Sequence, residues 1–256
     1  MEGLNRILAE IRNRNTTSPN TKVDYKCNKC QDTTFVQGEN GFTRCECYKK
    51  DLTKRRWAHF GIDPSKVKRI SEYAVYSDIT KRAKQVAIDY IRDYTTIKTK
   101  EENNLAFLGQ PGAGKSHLAI GIGANLINKG ICTNIVYMPY QEAIRELKAN
   151  VMDDEYYIKL ISKYINCELL IIDDLFKDKV KKGKLTGELK ESDLKHIYPI
   201  INQRYINNKP TIYNSECTPN MLMDLDQALA GRILEKSNIV IFKYGLENNY
   251  RMRKFV

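Results

Sequence analysis

Apolar and polar positions change their spacing along the chain, and from about residue 105 short apolar runs alternate with amphipathic helical patterns. The apolar runs predict five strands, at LAFLG (105–109), TNIVYM (133–138), CELLIID (167–173), PTIYNS (210–215) and NIVIFKY (238–244). Helical patterns follow the first four of them, at residues 115–130, 141–149, 192–206 and 218–237. This alternation predicts an α/β fold, with a parallel five-stranded sheet flanked by helices.

The first part of the chain has a different pattern. Four apolar residues are spaced for a short amphipathic helix over residues 3–13, and NTTSPNTK (15–22) has the composition of a linker. A longer helical stripe covers residues 79–97. We therefore predict two parts, an N-terminal region of residues 1–75 and an α/β domain of residues 76–256.

Charge and hydropathy limit the partners and the compartment. Lys and Arg total 42 against 31 Asp and Glu, a formal net charge of +11, which favours phosphate backbones or acidic surfaces as partners. No apolar run approaches the roughly 18–20 residues that cross a bilayer. The N-terminus lacks the apolar segment and cleavage site of a secretory signal. We expect a cytoplasmic protein with reduced thiols and no membrane partner.

The segment GQPGAGKS satisfies the phosphate-binding pattern G-x-x-x-x-G-K-[ST] between a predicted strand and a predicted helix, the setting that this motif requires. Backbone N–H groups and the helix N-terminus are expected to hold phosphates, Lys115 to reach the β- and γ-phosphates, and Ser116 to ligate Mg²⁺. The candidate nucleotide-binding residues here are Gly109, Gln110, Pro111, Gly112, Ala113, Gly114, Lys115, Ser116 and His117.

The segment LLIIDDL supplies the acidic groups that a phosphate-binding loop needs. Asp173 ends an apolar strand, at the edge where ligands of parallel sheets collect, and is predicted to hold Mg²⁺. Asp174 is placed to polarise the attacking water, with the alternative that it only caps the following turn. We therefore predict ATP and Mg²⁺ as ligands, with Lys115, Asp173 and Asp174 as catalytic residues.

Four of the seven cysteines, Cys27, Cys30, Cys45 and Cys47, form the pattern C-x₂-C-x₁₄-C-x-C. Between the two pairs, GENG (38–41) predicts a hairpin turn that brings them together, so that four thiolates bind zinc within a module of about residues 25–50. The alternative is a set of metal-free buried thiols. A reducing compartment disfavours disulfides, and the absence of a thioredoxin-like pattern disfavours a redox pair. The other three cysteines are predicted to be core residues.

The order and spacing of GQPGAGKSHLA, LLIIDDL, PTIYNSECTP, ALAGRILEK and NNYRMRK resemble the DnaC/DnaI-type replicative helicase loaders, a branch of the AAA+ ATPases. The resemblance covers about residues 80–256, phage and prophage forms look most similar, and the four-cysteine segment recurs in loaders of this group. It implies an AAA+ fold and self-association with nucleotide bound between subunits. Asp174, where many AAA+ proteins have Glu, suits a slow, switch-like ATPase.

The resemblance also implies roles for single residues. Arg232 corresponds to the arginine finger that reaches the nucleotide of a neighbouring subunit, and it joins the predicted catalytic residues. Arg251 matches the sensor-II arginine, with Arg253 as the competing candidate. Asn214 and Ser215 fall where sensor I lies, and these three positions complete the predicted nucleotide-binding set.

The function expected from the resemblance is ATP-dependent loading of a hexameric, DnaB-type replicative helicase onto single-stranded DNA, with the N-terminal region holding the helicase. One alternative is an IstB-type transposition helper ATPase, and another is a nucleotide-binding adaptor or inhibitor without productive hydrolysis.

The lysine-rich segment 177–192 either follows a DNA backbone or is a solvated loop. Arg204 is the next candidate if Arg232 is not the finger.

Overall fold

The computed structural model describes residues 24–39 and 41–255, together with residues 6, 9 and 10. The apolar residues of the predicted N-terminal helix lie outside the described residues, and so does the linker predicted at residues 15–22. Those helix residues are Leu4, Ile7, Leu8 and Ile11. Within the described part of the chain, no helix combines the length and the apolar character needed to cross a membrane.

The described elements alternate as predicted. The strands are β1 (Phe35–Gly38), β2 (Gly41–Arg44), β3 (Asn104–Gly109), β4 (Ile135–Pro139), β5 (Leu169–Leu175), β6 (Val180–Lys181), β7 (Lys184–Leu185), β8 (Thr211–Ser215) and β9 (Ser237–Phe242). The α-helices are α1 (Glu46–Phe60), α2 (Asp78–Arg92), α3 (Tyr94–Ile97), α4 (Lys115–Asn128), α5 (Tyr140–Ala149), α6 (Asp154–Asn166), α7 (Glu191–Ile206), α8 (Pro219–Leu225) and α9 (Gln227–Glu235). Short 3₁₀ turns lie at Pro64–Lys66, Ile70–Glu72, Lys177–Lys179, Leu246–Asn248 and Arg253–Phe255.

Five strands form one parallel sheet in the order β4-β5-β8-β3-β9. This confirms the predicted α/β fold with a five-stranded parallel sheet. Strand β8 lies between β3, which leads into the phosphate-binding loop, and β5, which has the two aspartates near its carboxyl end. The carboxyl ends of all three strands therefore meet at one edge of the sheet, where open α/β sheets bind ligands.

The sheet has a hydrophobic core on each face. In β5, Leu170 and Ile172 belong to one buried cluster and Leu169 and Ile171 to the other. Successive side chains of a strand point to opposite faces, so these two clusters are the two sides of the sheet. The three cysteines predicted as core residues are all buried, which confirms that prediction: Cys132, Cys167 and Cys217.

The helix predicted over residues 218–237 is wrong in one respect, because the chain breaks into α8 and α9 at Asp226. The backbone of Asp226 is extended, and its carboxylate accepts the N–H of Leu229 at 2.7 Å. A side-chain cap of this kind satisfies an otherwise unpaired N–H and begins a new helix. The stripe predicted at 79–97 is likewise two helices, α2 and α3, which meet at Asp93.

The chain divides into two compact units, residues 1–55 and residues 56–256. Within the second unit, Phe60, Ile70 and Tyr73 are buried in the same cluster as the helix that follows the phosphate-binding loop. The boundary predicted from composition, with residues 1–75 as a docking region and 76–256 as the ATPase domain, is a division by role and stays a prediction.

Arg204 on α7 is a structural residue of the core. Its side chain is 1% exposed, and the guanidinium donates to the carbonyl oxygens of Tyr164, Cys167 and Pro210 and to the Thr211 hydroxyl. These bonds join α6, α7 and β8 and satisfy a buried charge. Arg204 is therefore not available to a neighbouring subunit, and the alternative finger assignment is wrong.

Candidate nucleotide-binding site and cysteine cluster

The loop between β3 and α4 borders a cavity of about 350 Å³ at the carboxyl edge of the sheet. Gly109 has φ +99°, and a Cβ there would lie 2.1 Å from the carbonyl oxygen of Phe242, so only glycine fits where β3 enters the loop. Nine of the predicted residues line the cavity: Pro111, Gly112, Ala113, Gly114, Lys115, Ser116, His117, Asp174 and Arg251. The loop, the helix N-terminus and these side chains form the expected phosphate-binding arrangement.

Lys115 is buried at the base of this loop. Its ammonium donates to the carbonyl oxygens of Gly109 at 2.8 Å and Gln110 at 2.9 Å. Burial lowers the pKa of Lys115 to about 8, and the carboxylates of Glu216 and Asp174 offset this only in part. A phosphate group beside the ammonium would stabilise its charged form, so the pocket favours an anionic ligand.

Asp173 is buried at the end of β5 and accepts three hydrogen bonds. Ser116 Oγ and Asn214 Nδ2 each donate to Oδ1 at 2.8 Å, and Tyr137 Oη donates to Oδ2 at 2.7 Å. Burial and the Asp173 carboxylate raise the pKa of Tyr137, so the phenol stays protonated as a donor. The carboxylate and the Ser116 hydroxyl are hard oxygen ligands side by side, a donor pair that fits Mg²⁺.

Of the two residues predicted at sensor I, only Asn214 reaches the site. Its amide nitrogen bonds to Asp173, while the Ser215 hydroxyl donates to the Leu175 carbonyl oxygen at 2.6 Å and accepts the N–H of Cys217 at 3.0 Å. Neighbouring strand residues face opposite sides of a sheet, so only one of them can point towards Asp173. Among the described residues, the buried side-chain oxygen of Asn214 has no hydrogen-bond partner.

Asp174 adopts a left-handed backbone conformation, with φ +55°, where the pairing of β5 with β8 shifts register. Its carboxylate faces the cavity and lies 2.6 Å from the Lys177 ammonium. Lys177 in turn lies 4.0 Å from Glu216. The pattern of the sequence did not identify Lys177 or Glu216 as site residues, because the lysine falls in a segment that resembles a solvated loop.

Aromatic side chains from distant parts of the second unit cover the loop. The Tyr73 hydroxyl donates to the Ala113 carbonyl oxygen at 2.8 Å, and a Cβ at Gly114 would lie 2.6 Å from the Tyr73 ring. Tyr76 and Tyr250 stack with their ring centroids 6.2 Å apart, and both line the cavity. No motif marks these tyrosines, and their position depends on how segments far apart in sequence fold together.

The remaining predicted residues at this edge separate into ligand-facing and structural positions. Arg251 lines the cavity, whereas the Arg253 guanidinium lies 4.4 Å from the centre of the Tyr76 ring and does not line it. The His117 ring nitrogen lies 2.8 Å from the Arg69 carbonyl oxygen and its ring packs edge-on against Tyr73. His117 therefore has structural partners, while Arg251 is the arginine of this segment that lines the cavity.

Arg232 lies on α9 and is not among the residues that line the cavity of its own chain. Its guanidinium donates to Asn202 Oδ1 at 2.7 Å and to the Ala228 carbonyl oxygen at 2.8 Å, and lies 5.1 Å from the centre of the Tyr198 ring. The side chain is half-buried, so α7 and α9 orient it while part of it faces outward. Arg232 therefore does not line the nucleotide cavity of its own chain, and a role towards a second subunit stays a prediction.

The four predicted metal ligands come together in the first unit. Strands β1 and β2 pair as an antiparallel hairpin in which Gly38 faces Gly41, as predicted. The four sulfur atoms, those of Cys27, Cys30, Cys45 and Cys47, lie within 4.8 Å of one another. Distances of 3.8 and 3.4 Å between opposite pairs approach the spacing of about 3.8 Å that tetrahedral zinc–thiolate bonds of about 2.3 Å require. The cluster is thus compatible with zinc.

Comparison with known proteins places this architecture among ATP-binding AAA+ proteins. Residues 53–254 match the family model described as IstB-like ATP binding protein. The phage-like element PBSX protein XkdC of Bacillus subtilis is 29% identical over 89% of the chain and 86% of its own length. The uncharacterized protein YqaM of the same organism is 35% identical over 74% of the chain, which spans only 59% of YqaM. The crystal structure of the DnaC helicase loader superposes with a TM-score of 0.56 and 22% identity, over 74% of this chain and 99% of that one.

Proposed function

The chain belongs to the IstB-like ATP-binding family, and from this we propose that it is an ATP-dependent loader of a hexameric replicative helicase onto single-stranded DNA. ATP is the energy source, and its binding and hydrolysis switch assembly and release. The observation that supports ATP as the ligand is the buried Asp173, which Ser116 joins to the phosphate-binding loop and Asn214 joins to β8. The +11 charge agrees with a partner that has a phosphate backbone.

We assign the steps of hydrolysis to residues around the cavity. Lys115 and the loop N–H groups hold the phosphates, and Ser116 and Asp173 would hold Mg²⁺, which would neutralise phosphate charge. Asp174 orients the attacking water. Asn214 links the acidic strand to the nucleotide, and Arg251 contacts it from the C-terminal segment.

The cysteine cluster favours a loader over the other members of the family. It lies at residues 27–47, before the segment 53–254 that matches the family model. A compact zinc-stabilised unit ahead of the ATPase gives the chain a separate surface for a partner protein. We propose that this unit, with the N-terminal region, holds the helicase.

A transposition helper ATPase is the second candidate, because the matched family model is itself named for IstB-like proteins. Such a protein would use the same ATP site to mark duplex DNA for a transposase. It gives no reason for the four-cysteine unit, and we therefore rank it second.

A mixing experiment tests the loader proposal. The protein is combined with the replicative helicase of its host or phage, with ATP, with ADP or without nucleotide, and the mass of the complex is measured. We expect an ATP-dependent complex that contains the helicase hexamer and that releases helicase on single-stranded DNA. If the protein does not bind the helicase but binds a transposase, it is a transposition helper ATPase. Full release by the Asp174→Asn variant would identify an adaptor that does not use hydrolysis.

Arg232→Ala is expected to bind ATP normally, because Arg232 does not line its own cavity. Hydrolysis stimulated by DNA or by assembly should fall on the order of 1000-fold, since arginine fingers acting across an interface contribute at least that much. Steady-state ATPase assays with and without single-stranded DNA measure the effect. Arg82→Ala, which removes an exposed arginine of α2, is the control. A wild-type stimulated rate in Arg232→Ala places the finger elsewhere.

A further inference from the structure

Lys177 is a lysine of the nucleotide cavity that does not belong to the phosphate-binding motif. Its ammonium lies 2.6 Å from Asp174 Oδ2 and 4.0 Å from Glu216 Oε1. All three side chains line the same cavity as Lys115. The Lys177 side chain is 43% exposed, so it is free to exchange one anionic partner for another without unpacking the core.

The backbone around Asp174 directs its carboxylate towards Lys177. Asp174 and Phe176 both have positive φ, at +55° and +57°, and the pairing of β5 with β8 shifts between Ile172 and Leu175. The regular pairing with β8 is therefore interrupted after Ile172, and the chain turns so that a residue three positions later can pair with Asp174. The ammonium occupies an acceptor position of Asp174 Oδ2 that an attacking water molecule would otherwise use.

Binding of ATP changes the balance of charge at this point. The cavity is lined by the acidic residues Glu72, Asp174 and Glu216 and by basic residues that include Lys115, Lys177 and Arg251. A terminal phosphate concentrates more negative charge than one carboxylate and accepts stronger charge-assisted hydrogen bonds. Lys68 lines the cavity too, but Lys177 is the cation that pairs with the proposed water-orienting carboxylate.

We propose that Lys177 is a positioning residue that responds to the terminal phosphate of ATP. It pairs with Asp174 when that phosphate is missing, as with ADP, and moves to the phosphate when ATP binds. This transfer releases Asp174 to orient the attacking water, and it makes Lys177 a determinant of selectivity for ATP over ADP. The inference rests on the proposed ATP hydrolysis and adds the residue that couples nucleotide state to the hydrolytic group.

A double-mutant cycle tests the transfer. The affinities for a non-hydrolysable ATP analogue and for ADP are measured by calorimetry in wild type, Lys177→Met, Asp174→Asn and the double variant. Lys177→Met should lower the preference for the ATP analogue over ADP by about tenfold, the low end for a charge-assisted contact because the side chain is partly exposed. With Lys177 present, Asp174→Asn should tighten binding of the analogue several-fold, because the substitution frees the Lys177 ammonium for the phosphate. In the Lys177→Met background the same substitution frees no ammonium and should have a smaller effect.

Lys182→Met is the matched control, since it removes one positive charge from the exposed turn between β6 and β7 and should leave the preference unchanged. An unaltered preference in Lys177→Met overturns the proposal, and so does an Asp174→Asn effect that is equal with and without Lys177. A wild-type protein that binds neither nucleotide overturns the proposed function itself, an outcome distinct from both.

Discussion

Lys115→Ala is expected to lose ATP binding, with a fall in affinity of about 100-fold or more. The Lys115 ammonium is buried beneath the loop, and its present partners are two carbonyl oxygens, those of Gly109 and Gln110. A bound triphosphate offers the ammonium full negative charge in place of these carbonyl oxygens. A hydrogen bond to a charged group contributes about 1.5–3 kcal/mol, and the wider Coulomb attraction adds to this. Titration with a fluorescent ATP analogue measures the loss.

The control for this variant is its thermal unfolding without nucleotide. Because burial lowers the pKa of Lys115 to about 8, the charged side chain opposes folding at neutral pH, and its removal should leave the fold intact. Lys129→Ala, which removes an exposed lysine after α4, should keep wild-type affinity. Normal ATP affinity in Lys115→Ala would contradict the phosphate-site assignment.

The same pKa predicts how ATP affinity depends on pH. Bound phosphates stabilise the ammonium, so the complex retains a proton that the free protein loses as the pH rises through about 8. Affinity should therefore be constant below that pH and should fall above it, by up to about tenfold per pH unit. The weak binding that remains in Lys115→Ala should show no such fall. A wild-type affinity that stays constant up to pH ~10 would contradict the assignment.

The motifs of the chain predicted most of the residues that the structure brings together at the candidate site, because the phosphate-binding loop and Asp173 follow strands that can be recognised locally. They did not predict Tyr137, since its bond to Asp173 depends on β4 lying beside β5, and strand order is not a local property. The choice between Asn214 and Ser215 was likewise undecided. A shift of one residue along a strand moves a side chain to the opposite face of the sheet. Only the structure therefore shows which of the two side chains points towards Asp173.

Non-local packing also explains why the alternative assignment of Arg204 as the finger was wrong. Arg204 and Arg232 both lie within predicted amphipathic helices, and the sequence does not indicate which of the two side chains is buried. The structure places Arg204 against the carbonyl oxygens of Tyr164, in the last turn of α6, and Pro210, just before β8, whereas Arg232 stays half-buried on α9. Which arginine is structural depends on which backbone carbonyl groups lie beside it, and only the tertiary fold determines that.

Cys30→Ser is expected to remove the metal and unfold the first unit while ATP binding by the second unit persists. Elemental analysis of the wild type, purified under reducing conditions, should find about one zinc per chain, and the variant should have none. Among the described residues up to residue 55, the only buried apolar side chains are Cys30 and Cys45. The sulfur cluster thus takes the place of a hydrophobic core, and metal binding supplies the folding free energy of such a unit.

Limited proteolysis distinguishes loss of this unit from general unfolding. In Cys30→Ser, or after strong chelation, cleavage should concentrate before residue 56, and a protected ATPase fragment should retain nucleotide. Cys132→Ser, which alters a buried thiol of the second unit, should keep its zinc and its first unit. If the unit's role is to hold the helicase, Cys30→Ser should also lose the helicase complex at unchanged ATP affinity. The assignment of a four-thiolate zinc site requires all four cysteines to bind one ion. Wild-type protein without zinc would contradict this assignment, and so would a Cys30→Ser variant that retains zinc.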